Sequence, residues 1–444
     1  LEVIESIESY NKFIREYKNK TVFIYPILSD SEKHSCNNSL SLIYVKSIDN
    51  SDGIILSIDH TDSIPLHNFI FPQFKRVYTY DKKLLSNFIN ITEIIDLRVS
   101  CYLSINTAMY YCHKTKVHSF FQAFNIDNIN RIIPLTKHFE MCEEMFEVIK
   151  DVINYEEVSF DFYNQIVIPN LLKIEESGLK VDKKIFQKYF KTNHLSNDDF
   201  IHTEYNIYTS TGRPSNRHGG INFASLNKAN GSRQSFISRF DNGFILVFDY
   251  DGYHLRLISE LVGYKFSKNE SIHEYIGKQY FDSDKLTSDQ YKKSKRLNFQ
   301  YLYGGIPSSI SDKIPYFKIV NDYIHNIWKV AKRDGYITSL LSKRKIYLDN
   351  IEDSNPQKLF NYFIQLLETE RNMIILSSLF NFLKNYESKI ILYAYDAFIF
   401  DLSPNDNRDF LIEVQNIIEQ DGTFPTKQMI GRNYDEMINI TDRF

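Results

Sequence analysis

The chain has 444 residues, of which 43% are hydrophobic and 24% charged, and a formal net charge of −4. That balance fits a folded protein of two or three domains at ~150 residues each. It excludes a disordered tail protein, a collagen-like chain and a basic coat protein for nucleic acid, while leaving room for a local basic groove.

No apolar run is long enough to span a bilayer, and no membrane partner is expected. The opening LEVIESIESYNKFIREYKNK is charged with a helical period, unlike a secretory signal. Cys36, Cys101, Cys112 and Cys142 lie in the first third without CxxC spacing, which fits the cytoplasm or another reducing intracellular compartment. The pairs His34/Cys36 and Cys112/His113 could meet at a zinc ion, but four scattered ligands without regular spacing read as coincidence.

In chain order, TVFIYPILSD, LSLIYVKSI and GIILSIDH are short β-branched and aromatic runs, hence strands. KKLLSNFINI and LSINTAMYYCHKTKVHSFFQAF have helical spacing, so the first third reads as α/β. A long amphipathic segment follows, with a kink or restart expected at Pro169 and a stop at Gly178. From Ile201 the chain turns polar, Gly-rich and basic, with Arg213, Arg217, Lys228 and Arg233 among Ser, Thr and Asn. Such donors suit phosphate oxygens, and equally an ordinary surface loop. A helix ending at Gly335, a hairpin, the helix LFNYFIQLLETERNMIILSSLFNFLKNY, a hairpin IILYAYDAFIFDL and a short αβ tail complete the chain.

In FILVFDY and IILYAYDAFIF a lone carboxylate, Asp249 or Asp396, interrupts an apolar strand. A buried unpaired carboxylate is costly, so each needs a cation, a partner or a strand end. Two on adjacent strands can hold two Mg²⁺ ions ~3.5–4 Å apart for phosphoryl transfer, or each can cap a hairpin. Between them, Tyr291, Lys295, Phe299 and Tyr303 recur every fourth position and share a helix face. That face offers a cation for a triphosphate and aromatic plates for a base or sugar, with Lys292, Lys293 and Arg296 beside it; a surface helix with core-packed aromatics has the same pattern.

The order of these motifs resembles the family A DNA polymerases, the bacterial DNA polymerase I family. TSTGRPS with GINFASLN is similar to the family's template and primer contact motif, DYDGYHLR to its motif A, KRLNFQYLYG to motif B on the fingers helix, and AYDAFIF to motif C. SIHEYIGKQYF, GYITSLLSKRK and the spacing of Asn361 and Gln365 add to the likeness, which runs from Ile201 to the C-terminus. The resemblance implies an α+β fold: a 3′–5′ exonuclease-like α/β domain over 1–150, a connecting helix and thumb remnant over 151–200, and palm and fingers over 201–444, the fingers at about 265–340. It implies Asp249 and Asp396 as ligands of two Mg²⁺ ions and, with Lys295, as catalytic residues. Lys295, Phe299, Tyr303, His254, Tyr291 and Lys292 then bind the nucleotide. Arg213, Arg217, Arg233, Arg256, Asn361 and Gln365 contact nucleic acid. The expected partners are primer–template DNA and nucleoside triphosphates.

Departures from the family pattern carry their own expectations. The opening strand VFIYPIL lacks the Asp-x-Glu of the first exonuclease motif, leaving Asp81 and Asp96, so a proofreading relic is expected. Val181 to Ile201 is too short for two long antiparallel helices at 1.5 Å per residue, so the thumb is missing and a protein partner replaces it. His254 stands where the family has a glutamate against the ribose 2′-hydroxyl, and its imidazole is expected to accept a hydrogen bond from that hydroxyl. Tyr291 replaces the first arginine of motif B, and Tyr395-Asp396-Ala397 the His-Asp-Glu of motif C. The leading expectation is a DNA polymerase without proofreading; a non-catalytic scaffold for nucleic acid or a replication partner, and a ribonucleotide-tolerant polymerase, stand as alternatives.

Overall fold

The computed structural model describes residues 1–49, 53–67, 69–91, 93–104, 130–155, 157–266 and 271–441. Most of the predicted helix LSINTAMYYCHKTKVHSFFQAF and the pair Cys112/His113 lie outside them. The chain forms two units: Leu1–Glu176 with Phe190–Glu204 and Arg217–Ile221, and Ser177–Tyr189 with Tyr205–Asn216 and Asn222–Phe444.

The first unit is built on six strands, β1 (Glu2–Ile4), β2 (Thr21–Leu28), β3 (Leu40–Ser47), β4 (Ile54–Ser57), β5 (Arg76–Thr79) and β6 (Ile94–Asp96), in the order β1-β4-β3-β2-β5-β6. β3 runs antiparallel to both neighbours and the other pairs are parallel. The central strands read as unbroken apolar runs because both sheet faces are covered. Phe23, Leu42, Tyr44 and Ile55 pack with Met141, Met145 and Phe146 of the helix Leu135–Ile149. The alternate residues Val22, Ile24, Ile43 and Val45 pack with Phe13 and Tyr17 of the helix Ile7–Tyr17. Ser6 opens that helix in a reciprocal capping box with Ser9. The α/β reading of the first third therefore holds.

Pro169 does not break its helix. It removes one N–H and its ring would crowd the carbonyl four residues back; the turn Tyr163–Val167 widens to a π-helix, and α-helix resumes at Ile168–Ser177. Gly178 then takes φ 60°, ending the helix as expected.

The second unit contains an antiparallel five-stranded sheet of β7 (Phe244–Tyr250), β8 (Lys389–Ala394), β9 (Ala397–Leu402), β10 (Thr426–Gly431) and β11 (Met437–Asn439), ordered β8-β9-β7-β10-β11. The helix Ser288–Gly304 is opened by a capping box between Thr287 and Gln290. The helix Pro315–Asp334 stops at Gly335, whose φ of 80° a residue with a Cβ adopts only under strain. These two helices share an apolar core with the 27-residue helix Pro356–Phe382 through Leu302, Phe317, Val320, Leu359 and Phe360. Between Val181 and Phe200, all of it described, the one helix is the four-residue Lys183–Phe186.

Candidate active site

β7 is the middle strand of its sheet, and its apolar run Ile245–Phe248 is buried between neighbours. Asp249 comes at the end of that run, pairs in register with Ala397, and keeps its side chain open to solvent. Asp396 differs from expectation: it sits in the two-residue turn Tyr395-Asp396 between β8 and β9, not within a strand. The turn is tight because Tyr395 adopts φ 63°. A non-glycine residue there costs roughly 1–2 kcal/mol, offset by Asn372 Nδ2 donating to the Tyr395 carbonyl at 2.9 Å and by the Arg213 guanidinium lying 3.9 Å from its ring centroid. The Tyr250 N–H donates to the Asp396 carbonyl at 3.1 Å, which fixes the two acidic residues at neighbouring positions.

Their electrostatics follow from that placement. Burial, then the Asp249 carboxylate, push the Asp396 carboxyl up to about 6. Asp249 is also raised by the protein around it, against the pull of Lys228, Lys295 and Lys427. Lys427 itself pairs with Asp251 at 2.6 Å. Two adjacent carboxylates that resist ionisation, with cations grouped about them, fit a divalent-metal donor set: Asp249 and Asp396 would hold the metal.

The helix Ser288–Gly304 carries the predicted face. Lys295 and Lys292 are exposed, and the Phe299 and Tyr303 rings stack with centroids 6.0 Å apart and planes 14° from parallel. The Tyr291 hydroxyl lies 3.4 Å from the Ser271 hydroxyl. Lys293 rests over the Phe281 ring instead of joining that face.

Three expectations change. Both ring nitrogens of His254 are engaged: Nε2 donates to the Glu368 carboxylate at 2.9 Å, and Nδ1 bonds the Tyr303 hydroxyl. Burial, with Glu368 nearby, raises the Tyr303 phenol, so it stays protonated and donates. The imidazole therefore has no lone pair to offer a sugar hydroxyl while Tyr303 is in place. Arg256 is buried and its Nε donates to the Asp251 carbonyl at 3.3 Å, so it braces the end of β7. Arg233 donates to the Leu226 carbonyl at 2.9 and 3.1 Å and lies over the Tyr434 ring, which ties its guanidinium to its own loop. Arg213 bonds Glu368 at 3.0 Å. Arg217 is exposed and belongs to the first unit. The Gln365 amide donates to Asn361 at 2.8 Å.

Glu368 is the residue that sequence reasoning missed. It is fully buried, and although burial opposes ionisation, His254 and Arg213 hold its carboxyl below the usual range. A signal existed: Asn361, Gln365, Glu368 and Asn372 fall at spacings of four, three and four, a polar stripe along an otherwise apolar helix. Asn372 also accepts from the Tyr253 hydroxyl at 2.8 Å, linking the stripe to the segment after β7.

Residues 164–434, more than half of the chain, match the model of DNA polymerase family A. The chain belongs to that family. Curated relatives include DNA polymerase I of Mycobacterium bovis, 21% identical over 243 residues (47% of this chain and 27% of that protein), and of Synechocystis sp., 23% identical over 268 residues (50% and 27%). DNA polymerase I of Bacillus caldotenax is 26% identical over 180 residues, 35% of this chain and 20% of that protein. The family A chain thus spans less than a third of the length of these relatives. Among solved structures, the POL domain of Pol1 from M. smegmatis in complex with DNA primer-template and dNTP aligns over 98% of this chain and 99% of that one, with a TM-score of 0.72 at 13% identity. That likeness establishes a shared α+β fold.

Proposed function

We propose that the protein is a DNA-directed DNA polymerase that extends a primer 3′-hydroxyl on a DNA template. The observation that carries this is the juxtaposition of Asp249 and Asp396, two neighbouring carboxylates within the field of Lys295 and Lys427. In the reaction the primer oxygen forms a bond to the α-phosphorus of the incoming nucleotide, the bond to the β-phosphate oxygen breaks, pyrophosphate leaves and the hydroxyl proton passes to solvent. Family A polymerases use divalent metal ions; Asp249 and Asp396 would hold two Mg²⁺ ions, which when bound favour the ionised hydroxyl and neutralise developing phosphate charge. Lys295 and Lys292 face the triphosphate, with Tyr291 beside them at the start of the same helix. Phe299 and Tyr303 form the plate against which the nascent base pair stacks. Arg256 and Asn372 are positioning residues: one braces the end of β7, the other holds the Tyr395-Asp396 turn. Arg217, Asn361 and Gln365 remain the candidates for nucleic-acid contact. Such catalysis is mostly positioning and electrostatic stabilisation.

The same reading holds that the chain lacks proofreading and a thumb. Asp81 and Asp96, the remaining candidates for the exonuclease motifs' metal-binding carboxylates, each N-cap a helix, and the Val181–Phe200 segment carries one short helix. Primer extension with dNTPs and Mg²⁺ tests the proposal. Asp249→Asn and Asp396→Asn are each expected to reduce extension at least ~10³-fold, since metal charge stabilisation supplies several kcal/mol, with unchanged circular dichroism. Extension at the wild-type rate by either variant refutes the site. Primer–template binding with no extension by the wild-type chain would favour the scaffold reading.

A further inference from the structure

The first unit holds a second chemical cluster, far in sequence from both aspartates. His34, Cys36 and His202 present ligand atoms that all lie within 4.8 Å of one another. His34 and Cys36 come from the connection between β2 and β3, and His202 from the Phe190–Glu204 passage that returns to this unit. The two imidazoles are buried and stack with centroids 5.3 Å apart. His218, from the Arg217–Ile221 passage, packs edge-on against His34 at 5.1 Å. Its side chain is only 9% exposed, and its Nε2 is buried with no hydrogen-bond partner.

The orientation of these rings is that of metal ligands. His202 Nδ1 donates to the Glu175 carbonyl at 2.7 Å, which leaves its lone pair on Nε2. His218 Nδ1 faces the Glu204 carboxylate at 3.9 Å, again leaving Nε2 as the basic atom. A backbone carbonyl or carboxylate behind the ring is the usual outer partner of a metal-bound histidine. His34 Nδ1 takes a long 3.2 Å bond from the Cys36 N–H, a weak contact that a metal on either ring nitrogen would replace. The Cys36 thiol has a 3.5 Å contact with Asn87 Oδ1.

We propose that His34, Cys36 and His202, with His218 as the fourth donor, form a structural site for a borderline-soft divalent cation of the zinc type. One thiolate and three imidazoles match the ligand preference of zinc, and calcium or magnesium would want oxygen ligands instead. Zn–S and Zn–N bonds of about 2.3 and 2.0 Å place ligand atoms roughly 3.3–3.8 Å apart in a tetrahedron, so His34, Cys36 and His202 close by ~1 Å through side-chain torsions, and His218, which lies outside that 4.8 Å set, has to swing further. The metal ties three passages of chain onto the sheet of the first unit, the first lying more than 160 residues before the other two. It is independent of the polymerase reading.

The test is cobalt titration of the full chain, purified metal-free, in a background of Asp249→Asn and Asp396→Asn so that the other carboxylate site contributes nothing. One equivalent of Co²⁺ should produce a sulfur-to-cobalt charge-transfer band and the intense visible bands of tetrahedral cobalt, both lost on adding Zn²⁺. Cys36→Ser should remove the charge-transfer band, and His202→Asn should weaken Co²⁺ binding at least about tenfold. If Cys36→Ser does not fold, His202→Asn alone carries the comparison. Absence of the charge-transfer band in the parent chain, its survival in Cys36→Ser, or undiminished affinity in His202→Asn overturns the site.

Discussion

At the scale of single residues, His254 shows how a substitution changes meaning once its neighbours are known. Its nitrogens are shared between Tyr303 and Glu368, so sugar discrimination depends on whether Tyr303 keeps the imidazole occupied. Tyr303→Phe frees Nδ1 to accept from a ribose 2′-hydroxyl. A net hydrogen bond of about 1 kcal/mol predicts roughly fivefold greater relative use of ribonucleotides. Competition between dNTP and rNTP in single-nucleotide extension measures this, and an unchanged ratio would sink the idea. His273 gives a pH prediction. Burial, with Lys295, Lys427 and Arg256, brings it down to about 4 despite the pull of Asp251, and Asn298 bonds its Nδ1 at 2.9 Å. Its folded pKa is below the unfolded value of about 6.5, so its stabilisation is present above pH 6.5 and lost as pH falls toward 4, by about 3 kcal/mol at most. Urea midpoints should fall across that window, with a shallower slope in His273→Gln; equal slopes would show that other groups carry the effect.

At the scale of elements, the two acids of the first unit that match the exonuclease motifs, Asp81 and Asp96, serve as helix caps. Asp81 accepts from the Leu84 N–H at 3.0 Å and bonds Arg98; Asp96 accepts from the Val99 and Lys82 N–H groups at 3.0 and 2.8 Å. Burial and the nearby Asp81 raise the Asp96 carboxyl, and both of its oxygens are already taken by backbone N–H groups. The expected outcome is no 3′–5′ digestion of single-stranded DNA, and a loss of about 1–2 kcal/mol of stability in Asp96→Ala as a cap is removed. Degradation that Asp81→Ala abolishes would reverse this assignment. The helix Pro356–Phe382 shows a different economy: its polar stripe from Asn361 to Asn372 holds Arg213, His254, Tyr253 and the Tyr395 carbonyl. One element thereby braces both segments that bear the aspartates.

At the scale of the whole molecule, the short Val181–Phe200 segment bears on how the proposed polymerase would hold duplex DNA. Of the four loop cations, Arg213 and Arg233 are committed internally, so few remain for phosphate contacts. Affinity and its salt dependence both scale with phosphates neutralised, at roughly −0.9 in slope for each. The isolated chain is therefore expected to bind primer–template weakly with a shallow salt slope, to dissociate after few additions, and to gain processivity from a protein partner that substitutes for the thumb. Long extension in a single encounter, under a trap for free enzyme and with no other protein, would contradict this.

The sequence by itself determined the elements whose apolar period is long and whose ends are marked: three of the six strands of the first unit, the helices stopping at Gly178 and Gly335, and the shared face of Lys295, Phe299 and Tyr303. It also located Asp249 and Asp396, because an acid in an apolar run is conspicuous. Only the tertiary structure decided which polar groups meet. Glu368 and His254 are 114 positions apart, and His34 and His202 are 168 apart, so no local period links either pair. The zinc-type cluster illustrates the reason. Ligand spacing along the chain is informative when one turn or one helix supplies every ligand; here three separate passages each supply part, and the fold alone brings them together.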